Sequence, residues 1–450
     1  MKSSVSEPPK KELAALYEAF THSTGVCTDT RQLQPGCLFF ALKGAQFDGN
    51  RFALAALDQG AAWCVADNPA LRGQHPRLVV VEDSLQTLQA LANLRRKHFD
   101  IPVVGIGGSN GKTTTKELLT RVMSSHYACH ATAGNLNNHI GVPLTLLSMP
   151  EHTEIALIEM GTNQPGDIDL LCRIAEPTHG LITNIGKEHL EGFGSIEGVR
   201  KAEGELYDYL QQKGGTVFVN RSERYLTAMS RQLRHVDYAR VEHLLPSDPS
   251  VIGVELIETA PFVHVRFFSE SDERIEAHTH LPGLHNFNNV MTAVALGLYF
   301  KVPAVRIQDA LQTYKPTNNR SQVLTQGTNT ILLDAYNANP SSMVPALETL
   351  CQMKGRQKVA FLGDMLELGA DSLAEHIALV EFAAALPLKN LVLVGPEFGR
   401  VDWQRYGALH FPNAAAAQKW YQQQNFENTD ILIKGSRGIR MENVLERTEF

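Results

Sequence analysis

A chain of 450 residues is longer than one hydrophobic core usually serves, so two or three domains are expected. Hydrophobic residues at 43% and charged residues at 20% are ordinary for a soluble protein, and a formal net charge of −7 leaves no footprint for nucleic acid. No apolar run approaches a membrane span, and Met1–Lys11 has no apolar core for a signal peptide. The six cysteines (Cys27, Cys37, Cys64, Cys129, Cys172, Cys351) show no metal spacing and point to reduced thiols in a cytoplasm.

Residues 1–100 read as a small α/β domain. A short amphipathic helix covers Glu12–Phe20, and strands follow at Cys37–Leu42, Ala62–Ala66 and Leu78–Val81. Thr28-Asp29-Thr30-Arg31 and Lys43-Gly44 flank loops at strand ends. Such places hold phosphate or nucleotide groups, or they are plain polar turns.

Residues 101–315 read as a second domain, and its first stretch organises the chain. The apolar run Ile101–Ile106 predicts a buried strand. Gly107, Gly108 and Gly111 then turn the backbone, and a helical pattern with Leu118, Leu119, Val122 and Met123 on one face follows at once. Strand, glycine loop and helix N-terminus make an anion site from backbone N–H groups and the helix dipole. Gly108-Ser109-Asn110-Gly111-Lys112-Thr113-Thr114 supplies that loop. Lys112 is expected on the outer phosphates and the Thr113 hydroxyl on Mg²⁺. The first glycine of the full Walker pattern is missing, because position 106 is Ile106. A glycine-rich turn with an incidental lysine is the bland alternative.

Downstream, Gly134–Pro143 packs Asn135, Asn137 and Asn138 into one loop, which gives them hydrogen-bonding duties. Glu159 ends the strand Ile155–Met160, a fitting position for a metal ligand. The strand Gly180–Ile185 leads to Lys187-Glu188-His189, where His189 is either a metal ligand or a structural histidine. Alternation in Val251–Leu256 and Val263–Phe267 predicts antiparallel strands. The polar run His285-Asn286-Phe287-Asn288-Asn289 opens a helix through Leu298 that it can cap, and it can also read a base edge.

Tyr314–Arg320 reads as a hinge before a third domain, residues 316–450. Strands at Thr330–Asp334, Val359–Gly363, Asn390–Val394 and Asp430–Ile433 alternate with helices, which predicts a mostly parallel sheet. Asp334, Tyr336 and Asn337 stand where the first strand ends, the usual position of binding residues in such sheets.

Together these motifs resemble the Mur ligases, the ATP-dependent amide-forming enzymes of peptidoglycan synthesis. The phosphate loop, Glu159, His189, His285-Asn286-x-x-Asn289, Arg320 and Asp334 fall in that family's order. Four motifs are like the branch that adds a dipeptide: Asn137-Asn138-x-Ile140-Gly141-Val142-Pro143, His189–Ser195, Asp334-x-Tyr336-Asn337-Ala338-Asn339-Pro340 and Gly363-Asp364-Met365-x-Glu367-Leu368-Gly369.

The resemblance implies a three-domain α/β fold, with a central P-loop-type parallel-sheet domain between a small N-terminal α/β domain and a Rossmann-like C-terminal domain. It implies a cytoplasmic monomer that uses ATP and Mg²⁺ and touches neither nucleic acid nor membrane. The substrates it implies are UDP-N-acetylmuramoyl-tripeptide, held at Thr28–Arg31 and Lys43-Gly44, and D-alanyl-D-alanine. Asn137, Asn138, Tyr336 and Asn337 are expected to bind substrate as well. Lys112, His189 and Arg320 carry the catalytic roles, Asn286, Asn289, Arg320 and Asp334 join the loop on ATP, and Thr113, Glu159 and His189 are metal ligands. Another amino acid ligase of the same fold, or a silent nucleotide-binding relative, are the alternatives.

The sequence departs from the family at one position. Mur ligases carry a carbamylated lysine on the helix after the metal histidine, and spacing from His189 and Tyr207 puts it at 203. Glu203 stands there, with Lys201 two residues earlier. Residues two apart on a helix do not share a face. Glu203 is therefore expected to give the metal its carboxylate directly. The alternative is a solvated Glu203 with Lys201 carbamylated after a shift in register.

Overall fold

The computed structural model describes residues 9–44, 46–243, 251–269 and 271–445. The expectation for Met1–Lys11 lies mostly outside them. The remaining chain builds three sheets and one short hairpin. It forms two compact units, the first comprising residues up to 105, 128–162 and 166–179, the second comprising 106–127, 163–165 and 180 onward.

In the first unit, four parallel strands lie in the order Val26–Cys27, Leu38–Phe40, Trp63–Ala66, Leu78–Val80. Phe39, Cys64 and Ala66 pack against Ala53, Ala56 and Leu57 of the helix Ala53–Asp58. Two elements here differ from the sequence reading. Lys43–Gly44 pairs with Phe47–Asp48 as a hairpin instead of forming a loop. The helix Ser84–Arg96, not expected, begins where the Asp83 carboxylate accepts the Gln86 N–H and buries Leu88, Leu91 and Ala92.

The largest sheet has nine strands. From one edge they run Arg274–His278, His264–Phe268, Val251–Glu258, Arg234–Val241, Thr216–Asn220, His179–Ile182, Val103–Gly107, Ile155–Glu159 and Cys129–Ala131. The strand before the glycine loop is buried throughout, as its apolar run requires. The antiparallel pairing expected of Val251–Leu256 and Val263–Phe267 is found, and Arg274–His278 extends it. Thr216–Asn220, Arg234–Val241 and Val251–Glu258 pair in parallel, and only the last two strands fold back. Alternation reports which face is covered and carries no information on strand direction.

The C-terminal sheet runs Gln322–Gln326, Asn329–Asp334, Thr429–Lys434, Gln357–Gly363, Asn390–Val394, Leu409–Phe411. The first pair is antiparallel and the rest are parallel. Alternate residues of each strand feed two separate cores. Leu332, Leu362, Leu393 and Leu432 meet the helix Pro340–Gln352, while Ile331, Phe361, Val392 and Ile433 meet Ala417 and Tyr421 on the other face. A sheet covered on both faces in this way is the doubly wound arrangement expected of the third domain.

Candidate functional site

Gly108 (φ 116) and Gly111 (φ 83) both adopt the left-handed region, and neither tolerates a side chain. A Cβ at Gly108 would lie 2.2 Å from Thr183 Oγ1, and one at Gly111 would lie 2.5 Å from Asn289 Oδ1. The loop is thus moulded by the strand exit at Thr183-Asn184 and by the helix carrying Asn289. Ser109 N–H donates to the Asn184 carbonyl, and Asn110 N–H donates to Asn184 Oδ1 at 3.1 Å. Thr183 Oγ1 donates to the Asn110 carbonyl at 2.6 Å. Gly108 N–H donates to Glu203 Oε2 at 2.6 Å.

Three of the loop's backbone donors therefore point into the protein. Lys112, Thr113 and Thr114 then open the helix Lys112–Ser124, whose N-terminus carries the positive end of the helix dipole. Lys112 Nζ donates to the Gly108 carbonyl, which folds the side chain back over the loop.

Two carboxylates face that ammonium, Glu188 Oε2 at 3.7 Å and Glu203 Oε1 at 3.9 Å. Both residues are buried, and Glu188 Oε1 and Glu203 Oε1 have no hydrogen-bond partner. Burial pushes Glu203 up to about 7, against the pull of Lys112. Glu203 is therefore no solvated helix carboxylate. Lys201, by contrast, is exposed, as the two-residue spacing demanded.

His189 sits in the left-handed region (φ 43), as does Glu367 (φ 65), and strain of this kind in non-glycine residues collects at functional sites. Its Nδ1 pairs with Glu367 Oε2 at 2.6 Å, so Nε2 is the nitrogen left for a metal. Burial works to lower the ring's pKa, but Glu367 and Glu188 outweigh it and hold the ring above its ordinary value.

The third domain reaches the loop through Asn339 Nδ2, which donates to Asn110 Oδ1 at 2.9 Å. Nearby, the Arg320 guanidinium lies over the Tyr336 ring, 3.7 Å from its centroid. Asp334 pairs with the buried Lys434 at 2.5 Å, and its other oxygen accepts the Ser321 N–H. Burial opposes ionisation of Asp334, yet Lys434, His285 and Arg320 keep its pKa below the usual carboxylate value. Lys434 also donates to the Asn337 carbonyl.

Asn286 and Asn289, expected on ATP, form part of a buried polar chain behind the loop. Asn289 is buried, accepts from Thr115 Oγ1 and donates to Asn286 Oδ1. Asn286 in turn donates to the Pro282 carbonyl and Ser321 Oγ. Neither caps the helix Leu284–Tyr299, whose N-cap Gly283 has no side-chain cap bond.

In the other unit, Asn137 Nδ2 donates to Glu159 Oε1 at 2.9 Å, and Asn138 Oδ1 accepts from the N–H groups of Ile140 and Gly141. Thr132 Oγ1 accepts the Glu159 N–H and fixes the end of that strand. Arg31 pairs with Asp29 at 2.6 Å within the Thr28–Arg31 turn, and Lys43 pairs with Asp67 at 2.7 Å. Five residues of this machinery were given no role from the sequence: Thr183, Asn184, Glu188, Glu367 and Lys434. Each stands beside a residue that was singled out, but only the folded contacts separate them from ordinary polar neighbours.

A phosphate loop under a lysine, two buried carboxylates, a strained histidine and an arginine held at a domain hinge define a class, the ATP-using ligases of three-domain α/β build. Three family profiles match in chain order. They are the Mur ligase family catalytic domain over residues 22–96, the Mur ligase middle domain over 106–297 and the Mur ligase glutamate ligase domain over 319–437. The chain belongs to the Mur ligase family.

Within it, the chain is similar to UDP-N-acetylmuramoyl-tripeptide–D-alanyl-D-alanine ligase of Bacillus subtilis, 36% identical over 98% of this chain and 96% of that one. The Escherichia coli enzyme of the same name is 33% identical over 93% and 92%. Among solved structures, MurF from Acinetobacter baumannii superposes with a TM-score of 0.83 at 28% identity, covering 97% of this chain and 98% of that one. MurF from Thermotoga maritima in complex with ADP shares the fold, with a TM-score of 0.79 at 24% identity over 95% and 97%.

Proposed function

We propose that the chain joins D-alanyl-D-alanine to UDP-N-acetylmuramoyl-tripeptide at the expense of ATP, a step in making peptidoglycan precursor. The full-length similarity to relatives bearing that name supports the reaction. The observation that carries the chemistry is Lys112 folded over the glycine loop between buried Glu188 and Glu203.

In this reading the peptide carboxylate attacks the γ-phosphorus of ATP and forms an acyl phosphate. The dipeptide amine then attacks the acyl carbon and phosphate leaves. Phosphoryl transfer of this kind needs alignment and charge neutralisation more than a protein nucleophile. Lys112 neutralises the outer phosphates, the helix N-terminus at Thr113 and Thr114 receives phosphate oxygens, and Arg320, stiffened by Tyr336, meets the γ-phosphate. Asp334, oriented by Lys434, takes the nucleotide from the third domain. Asn286 and Asn289 join the loop on ATP.

The unpartnered buried oxygens of Glu188 and Glu203 fit a cation beside those phosphates. Thr113, Glu159, His189 and Glu203 are the residues we assign to Mg²⁺, which when bound neutralises phosphate charge. Residues 1–100 take the UDP substrate through Thr28–Arg31 and Lys43-Gly44, assisted by Asn137, Asn138, Tyr336 and Asn337. Residues 101–315 take ATP, and 316–450 close over both, in a cytoplasmic monomer.

A phosphate-release assay tests the reaction. Release from ATP should require both UDP-N-acetylmuramoyl-tripeptide and D-alanyl-D-alanine. Equal or faster release with single amino acids as acceptor would overturn the assignment.

A further inference from the structure

The outermost strand of the large sheet and its neighbour carry a second constellation, outside the machinery described above. Among the described residues, one trio of histidine, cysteine or carboxylate ligand atoms lies within 4.8 Å of one another: His264, Glu276 and His278. The register of the hairpin explains it. His264 and Arg266 stand opposite His278 and Glu276 on one face, while Val265, Phe267 and Ala277 point to the core.

The two imidazole rings stack at 3.6 Å between centroids with 24° between their planes. Two imidazolium ions would repel in that arrangement, so the pair suits neutral rings with lone pairs to offer. His264 Nε2 approaches Glu276 Oε2 at 3.1 Å. Arg266 grips the other oxygen, Oε1, from Nε at 2.9 Å and Nη2 at 2.6 Å, and is itself held by Glu255. The guanidinium thereby turns Oε2 toward the histidines, as an outer partner orients a ligating carboxylate.

We propose that His264, Glu276 and His278 form a binding site for a divalent transition-metal ion of the zinc type. Two imidazole nitrogens and one carboxylate oxygen are a donor set for zinc and its neighbours and a poor one for Mg²⁺ or Ca²⁺. Counting Arg266, Glu255 and Glu276, the ionised groups sum to −1, so a dication is attracted. The bound ion would tie Arg274–His278, the outermost strand, to its neighbour and shield an open sheet edge.

The test uses the full chain, stripped of metal and titrated with Zn²⁺ against a chromophoric chelator, together with thermal melting. The native chain should bind one equivalent at this site and melt at a higher temperature with zinc present. The double variant His264→Gln, His278→Gln should lose both that equivalent and the zinc-dependent melting shift, and His189→Gln should keep both. Should the double variant fold poorly, the single variant His278→Gln, at an exposed edge position, should weaken zinc by at least about tenfold. An equivalent that survives loss of these histidines, one that disappears only with His189→Gln, or no binding by the native chain would each overturn the proposal.

Discussion

Glu203 puts a carboxylate where burial most opposes it, behind a phosphate loop with one oxygen on Gly108 N–H. Its pKa of about 7 lies above the ordinary 4.5, so the folded chain keeps a proton there that the unfolded chain releases. Stability from this group is complete below the unfolded value and is lost as pH rises through the folded one. Glu203→Gln keeps an acceptor for Gly108 and removes the titration. In metal-free urea unfolding, the variant should gain on the native chain between about pH 5 and 8. Ligation by the variant should fall severely, and native ligation should be indifferent to added or removed bicarbonate. A native chain that requires bicarbonate would assign the carboxylate to Lys201 instead.

Lys112→Ala should reduce ligation by a few hundred-fold, the equivalent of roughly 3–4 kcal/mol of transition-state stabilisation. The fold should survive, because Glu203, already raised by burial, can take up a proton once the ammonium is gone, and circular dichroism checks this. Lys112 was singled out by its place after a strand and a glycine loop, whereas His189 as a ligand and position 203 were reached through the family resemblance. Glu188 and Lys434 were given no role, since their importance lies in what faces them across the fold.

At the scale of elements, the parallel strands Val103–Gly107, Ile155–Glu159 and Thr429–Lys434 announced themselves as apolar runs, and every residue of the three is buried. What was missed was either short or ambiguous. The two-residue strand Lys43–Gly44 has no room for a pattern, and the direction of Arg234–Val241 is set by connections that alternation does not encode. The helix Ser84–Arg96 did carry a signal, Asp83 followed by Leu88, Leu91 and Ala92, at helical spacing.

The strand ends Asp334 and Lys434 pair across neighbouring parallel strands, with Lys434 only 3% exposed at its side chain. Lys434→Met strands a buried carboxylate and should cost about 3–5 kcal/mol in denaturant unfolding. Adding Asp334→Leu to that variant should recover most of the loss while leaving ligation impaired. A single variant as stable as the native chain would show that the pair holds nothing.

Over the whole molecule, the second unit joins the phosphate-loop side to the C-terminal domain through polar contacts such as Asn110–Asn339, His189–Glu367 and Lys187–Glu375, and through Leu190, which packs into the core of that domain. Tyr314 and Asn318 of the hinge segment both donate to Glu117 on the loop's own helix. Contacts of this size can break and reform during turnover, and lids commonly gate such reactions. Small-angle scattering should give a smaller radius with an ATP analogue and the UDP substrate together than for the free chain. An unchanged radius would count against closure as the gate.

In the proposed reaction a substrate carboxylate is activated as an acyl phosphate, and the oxygen atoms record it. When the carboxylate attacks the γ-phosphorus, one of its oxygens becomes the bridge, and that oxygen leaves with phosphate when the amine attacks carbon. With UDP-N-acetylmuramoyl-tripeptide labelled with ¹⁸O in the reacting carboxylate, mass spectrometry of the released phosphate should find one heavy oxygen per ligation. Ligated product accompanied by unlabelled phosphate would rule out an acyl phosphate.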